Sequence, residues 1–146
     1  MKNIILFVAL SLFTLNIYSQ KKFYLLTDVD VAPEMENYKN IDSLNSKQNF
    51  KRSLKRFIVM NLDVSRGIAK KSKVFVEFVV RKNGKVEVLR VKGKSDQAKA
   101  IVVETFNKIK KMKPAILNNV NVAMKFIYPV TLNATIIIDK TKKNRW

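Results

Sequence analysis

The chain contains no cysteine and no histidine. Their absence excludes disulfides, thiolate nucleophiles, a histidine general base, and the ligands that hold most zinc and iron. It leaves the redox compartment open, because an exported protein need not carry disulfides. Glycine is scarce, at three residues, which argues against a scaffold built from loops. Acidic residues are few, 11 against 29 lysines and arginines. Carboxylate chemistry therefore has few candidates. Glu77, Glu87, Asp96 and Glu104 fall in no motif that brings two carboxylates together as glycosidases need. A non-catalytic protein is expected, with no cofactor and no metal.

What remains is enough for one core. The chain has 146 residues, 47% of them hydrophobic, which suits a single small domain rather than two domains or a disordered tail. The first twenty residues, "MKNIILFVALSLFTLNIYSQ", carry one lysine, an apolar run from Ile4 to Ile17, and the small Ser19 before Gln20. That is the layout of a secretory signal peptide, cleaved near Ser19–Gln20. As a retained anchor the run is short: a helix over Ile4–Ile17 reaches roughly 21 Å at about 1.5 Å per residue, against a hydrocarbon core of about 30 Å. A periplasmic or envelope location is expected for residues 20–146.

Residues 1–19 carry only Lys2, so their removal lowers the formal charge of +18 only to +17. Such a field favours anionic partners and depends on salt. Nucleic acid is the usual candidate, but export disfavours it. Cell-wall polymer, lipid head groups or an acidic protein segment fit better, and a solvated basic surface that only maintains solubility is the plain alternative.

Residues 20–45 show no sustained period and contain Pro33, which reads as an irregular lead-in with at most one short strand. Ser46 is a candidate cap for a helix, "KQNFKRSLKRFIVMNL". Phe50, Leu54, Phe57, Ile58 and Leu62 make one apolar stripe, and Lys51, Arg52, Lys55 and Arg56 the opposite face. The helix is expected to pack on a sheet; a membrane-surface role is the alternative. In "KVFVEFVVRKNGKVEVLRVKG" the residues Val74, Val76, Phe78 and Val80 alternate before the hairpin signal Asn83-Gly84. A two-residue turn would set Glu77 opposite Arg90. A type I turn with Gly84 as a bulge aligns Val80 with Val86 and Phe78 with Val88, buries more apolar surface, and is preferred. The alternation slips again between Val88 and Leu89–Val91, which points to a second irregularity.

After Ser95 or Asp96 comes "QAKAIVVETFNKIKKMK", with a stripe from Ala98 through Ile101, Val102, Thr105, Phe106 and Ile109 to Met112, and lysines in its last turn. Pro114 ends it. Finally "NVAMKFIYPVTLN" alternates from Val122 to Leu132, yet contains Pro129, which removes an N–H from any ladder it joins. That combination places the strand at a sheet edge. The expected fold is α+β in the order α-β-β-α-β: a small antiparallel three-stranded sheet with two packed helices. The domain spans 46–133, followed by a short apolar run and basic tail at 134–146. Phe78 and Phe106 are expected to join hairpin and second helix.

The stretch from Lys73 to Leu132, about two-fifths of the chain, resembles the C-terminal domain of the TonB family of energy transducers. "VFVEFVVRKNGKVEVLRV" matches the family's hairpin with Gly84 at the turn glycine. "KMKPAILNNVNV" matches the segment after the helix at Lys113, Pro114 and Val122, and "FIYPVTL" the last strand with Pro129. Met112 stands where the family usually has tryptophan, and Ala115 and Asn119 where it has glycines; the order and spacing of the motifs carry the resemblance. It implies an edge strand that binds an extended peptide, in the family a segment of a TonB-dependent outer-membrane receptor. That places the chain among proteins related to transmembrane transport, as a stand-alone form without membrane anchor and proline-rich spacer. The implied partner-binding residues are Val122, Met124, Lys125, Phe126, Ile127, Tyr128, Pro129 and Val130. The alternative is a basic envelope protein that holds an anionic polymer such as peptidoglycan through Lys51, Arg52, Lys55, Arg56, Lys110 and Lys111. A homodimer is left open.

Overall fold

The computed structural model describes residues 23–38, 43–63 and 71–133. The expected signal peptide and the run and tail at 134–146 lie outside these residues. The first helix, α1, spans Ser46–Asn61. Its cap is Asn45 rather than Ser46: the Asn45 side chain accepts from the Gln48 N–H at 3.0 Å, and Gln48 Oε1 accepts from the Asn45 N–H at 3.2 Å. This reciprocal box satisfies two helix-terminal donors. The Ser46 hydroxyl accepts instead from the Ala32 N–H at 3.2 Å, tying the helix start to the lead-in. Phe50, Leu54, Phe57 and Ile58 of the apolar stripe are buried as their spacing predicts, Leu62 is the half-buried C-cap, and Lys51, Arg52, Lys55 and Arg56 are exposed.

Strands β1 (Ser72–Val80) and β2 (Val86–Gly93) form the hairpin. The Gly84 N–H bonds the Arg81 carbonyl at 2.8 Å and Gly84 takes φ +83, so the turn is type I with a glycine bulge. Val80 faces Val86 and Phe78 faces Val88, as preferred. The register then shifts between Glu77 and Phe78, so that Glu77 faces Arg90. Both registers read from the sequence thus occur, on either side of a bulge at Leu89. The extra residue has a cause. Without it Arg90 would turn towards the helices and Val91 outwards; with it Val91 faces Val76 and Arg90 stays in solvent.

Helix α2 spans Asp96–Asn107, and its Ser95 cap accepts from the Ala98 N–H at 3.1 Å. It stops well short of Met112, so the expected stripe is cut, and Lys110 and Lys111 do not lie in a last turn. Residues beyond it are bonded elsewhere. The Met112 N–H donates to the Gly84 carbonyl at 2.9 Å, and Lys113 exchanges bonds with Glu34 at 2.9 and 3.1 Å. A continuing helix would forfeit all three. Met112 is buried nonetheless, through the docking of an extended segment.

Two short strands then form a hairpin that the sequence reading did not anticipate: β3 (Ala115–Leu117) and β4 (Val120–Val122). Its turn is Asn118-Asn119, with φ of 49° and 61°, the left-handed pair that a two-residue hairpin requires. The last strand, β5, covers Met124–Leu132. Val122 therefore belongs to β4, buried opposite Ala115, and drops out of the proposed edge.

The main sheet has the order β2-β1-β5, antiparallel throughout, which with the two helices among the described residues makes the class α+β. Val74, Val76, Phe78 and Val80 point to the helix side with Met124, Val130 and Leu132. Phe78 and Phe106 meet there at 5.1 Å between ring centroids, and Phe50 and Phe126 at 5.4 Å. The lead-in contributes Leu26, Val29, Ala32 and Met35 to the same core, so packing runs across the boundary drawn at residue 46.

Truncating Phe78 or Phe106 to alanine should each cost about 3–5 kcal/mol. Denaturant melts measure this, and losses below about 1 kcal/mol in both would contradict the facing of the sheet. Gly84→Ala should also cost more than about 2 kcal/mol, since a left-handed φ penalises any side chain by roughly 1–2 kcal/mol and the new Cβ would stand 1.9 Å from the Met112 carbonyl oxygen. A melt matching the parent would show that the segment after α2 is not held by this turn.

Candidate functional site

The direction of each backbone group on β5 follows from one bond. The Lys125 N–H donates to the Tyr24 carbonyl at 2.8 Å, on the side of β5 away from β1. Successive residues of a strand point their N–H and C=O to opposite edges. Ile127, Pro129 and Thr131 therefore share the outward direction, while Met124, Phe126, Tyr128 and Val130 bond β1. Pro129, opposite Phe75, lacks its N–H where β1 does not need it.

Among the described residues, the outer edge is covered only at its start. Tyr24 bridges Met124 in parallel, its N–H donating to the Ala123 carbonyl at 2.9 Å. The lead-in then turns away. The Asp28 N–H bonds the Leu25 carbonyl at 3.1 Å, and Asp28 accepts from the Leu25 N–H at 3.0 Å and the Thr27 hydroxyl at 2.9 Å. These donors, with the charge of Lys47, hold the Asp28 carboxyl below its ordinary value of 3.8. From Ile127 to Thr131, no strand among the described residues pairs with the outer edge.

Side chains sort by the same alternation. Met124 and Val130 are buried in the core, so they cannot contact a partner directly, contrary to expectation. Phe126 and Tyr128 are half-buried towards the helices, and burial raises the Tyr128 pKa above 10.0. Lys125, Ile127 and Pro129 face the opposite side of the sheet, with Ile127 57% exposed. Phe75 lies opposite Pro129 with 42% exposure, and Lys73 Nζ sits 4.9 Å from its ring centroid.

Where the lead-in leaves β5, an open groove of about 480 Å³ forms between Leu25, Leu26, Phe126 and Ile127, with Thr27 and the cations Lys47, Lys51 and Lys125 at its wall. Lys47 Nζ donates to the Thr27 carbonyl at 3.0 Å. Lys125 lies 3.2 Å from Glu77, a carboxylate shared with Arg90 at 3.8 Å. The sequence reading named Lys51, Lys125, Phe126 and Ile127 but missed Tyr24, Leu25, Leu26 and Lys47. A single long-range bridge leaves no periodic trace.

The six residues of the expected basic surface are exposed but do not make one site. Lys51, Arg52, Lys55 and Arg56 run along α1, whereas Lys110 and Lys111 line a separate cavity of about 390 Å³ with Met35, Tyr38, Phe57 and Asn61. Of the carboxylates named above, Glu77, Glu87 and Asp96 serve as ion-pair partners. Glu87 meets Arg81, and Asp96 meets Lys99 at 2.6 Å, which lowers the Asp96 pKa. Among the described residues there is no cluster of three or more metal-ligating groups, and no helix is long and apolar enough to cross a membrane. Comparison with protein-family models, curated proteins and solved structures found no match.

Because the folded Asp28 pKa is lowered, its contribution to the Leu25–Asp28 turn is present above its ordinary value of 3.8 and lost as pH falls through the lowered one. Asp28→Ala should mimic this loss at neutral pH. Amide exchange should quicken at Leu25 and Lys125 while Phe78 is unchanged; equal exchange in parent and variant would mean that the carboxyl does not hold the lead-in on β5.

Proposed function

We propose that this chain is an exported, non-catalytic envelope module that binds an extended peptide by strand addition at the outer edge of β5, as its resemblance to the TonB C-terminal domain implies. The observation that carries the reading is the orientation of β5: Ile127 and Thr131 offer outward N–H groups, and Ile127, Pro129 and Thr131 outward carbonyls, with no strand across from them among the described residues. Backbone bonds supply affinity, and the basic surface biases selection towards acidic segments such as those of an outer-membrane receptor. A second copy of the chain is a poor occupant, since each carries a formal charge of +18, or +17 without residues 1–19.

A second reading is binding of an anionic polymer such as peptidoglycan. It is favoured by the exposed row Lys51, Arg52, Lys55 and Arg56 on α1.

The orientation of β5 selects the informative variant. Lys125 already spends its N–H on Tyr24, so Ile127→Pro is the change that removes an outward donor. Thr131→Pro, at the strand's end, is the backup should the first fail to fold. Capture of envelope proteins by the variant, with its melt checked, should fall about tenfold or more, the effect of one lost backbone bond plus a steric block. Undiminished capture by a folded variant would refute strand addition. Binding that instead collapses between low and moderate salt and ignores both proline variants would favour the polymer.

A further inference from the structure

Resting on strand addition at β5, we infer that the groove at the foot of the open edge receives the free C-terminal carboxylate of the added strand. The lead-in sets where the strand must end. A peptide running along Thr131, Pro129 and Ile127 meets Tyr24 and Leu25 head-on, because Tyr24 already occupies the same edge at Lys125. It must stop there or lift off. The groove opens at that point, and its walls are suited to a chain end: Leu25, Leu26, Phe126 and Ile127 enclose an apolar side chain, with lysines beside them.

The charge around the groove is unbalanced. Among the described residues, Lys47, Lys51 and Lys125 line the groove, with two carboxylates beside them, Asp28 and Glu77. Glu77 is shared by Lys125 and Arg90, and Lys47 bonds the Thr27 carbonyl as well as sensing Asp28. Lys51, exposed on α1, has no carboxylate among the described ion pairs, and its ammonium is free to meet an incoming one. A terminal carboxylate adds two acceptor oxygens and one negative charge without needing a particular side chain.

Direction agrees with this. With its C-terminus at Lys125, the added strand runs antiparallel to β5, the slightly more stable pairing. Ile127 and Thr131 can then each exchange two bonds with the residue opposite, while Pro129 offers its carbonyl alone. The occupant is therefore a protein whose last four or five residues are extended and end in an apolar residue with a free carboxylate.

The test uses the full mature chain and two random decapeptide libraries, one displayed with free C-termini and one with the C-terminus fused to its carrier. Selection should enrich only the free library. Synthetic peptides made from the winners should lose at least about tenfold in affinity on C-terminal amidation, the scale of a charge-assisted contact. Lys51→Glu should weaken the free acids and leave the amides unchanged. Winners that bind equally well as amides but fail against Ile127→Pro or Thr131→Pro would overturn terminal capture and leave strand addition standing. Enrichment confined to the fused library would have the same meaning. No enrichment from either library would overturn both.

Discussion

The Lys125 N–H donates to the Tyr24 carbonyl, and the two-residue repeat of a strand carries that orientation to Thr131. The consequences reach both faces of the sheet. Even-numbered residues of β5 must bond β1 and send Met124, Val130 and Leu132 into the core. Odd-numbered residues must turn their backbone groups outwards and set Ile127 and Pro129 on the far face. A slip of one residue would place Pro129 against β1, bury Lys125 and expose Val130 at the same time. The Tyr24 contact and the core packing thus enforce one register from opposite sides of the strand.

The lead-in couples this edge to the rest of the molecule without forming an element of its own. Tyr24 holds β5, Val31 bridges Ile116 of β3, and Glu34 bridges Lys113 after α2. Between these contacts Leu26, Val29, Ala32 and Met35 enter the shared core. Lys113 is held next to Met112, whose N–H bonds Gly84 at the hairpin turn. Gly84 meets a double demand there, a left-handed φ and the near contact of the Met112 carbonyl, and any Cβ fails both. Turn, segment after α2, lead-in and open edge therefore form one connected path of backbone bonds around the sheet.

Much of this was legible where short-range periodicity governs. The alternation of Val74 to Val80, the Asn83-Gly84 turn and the slip at Leu89 together specified the hairpin and its bulge, and Pro129 in an alternating run marked an edge. The helix stripes were legible too, but not where they end. Ile109 and Met112 continue the period of α2, and only the bonds of Met112 and Lys113 to distant partners stop the helix, which is tertiary context overriding a local pattern. The Asn118-Asn119 turn carried a hairpin signal in its residue types, but three-residue strands are too short to show alternation. At the candidate site, Pro129 and Ile127 could be read from the chain. Tyr24 and Lys47 could not, because Tyr24 meets β5 across about a hundred residues of sequence and Lys47 reaches the groove only through its bond to Thr27 of the lead-in.

An open edge is a hazard as well as an opportunity, since any extended chain can pair with it, including another copy. Pro129 removes one donor from the edge, so a pairing strand loses a bond at its middle. The formal charge of +18 opposes a second copy, and Lys51 and Lys125 concentrate that opposition where an added strand would end. Both features weaken self-pairing more than pairing with an acidic partner, because a negative segment offsets the lost bond with Coulomb attraction and another basic edge adds repulsion. Protection against aggregation and discrimination among partners are then the same physical property, seen with occupants of opposite charge.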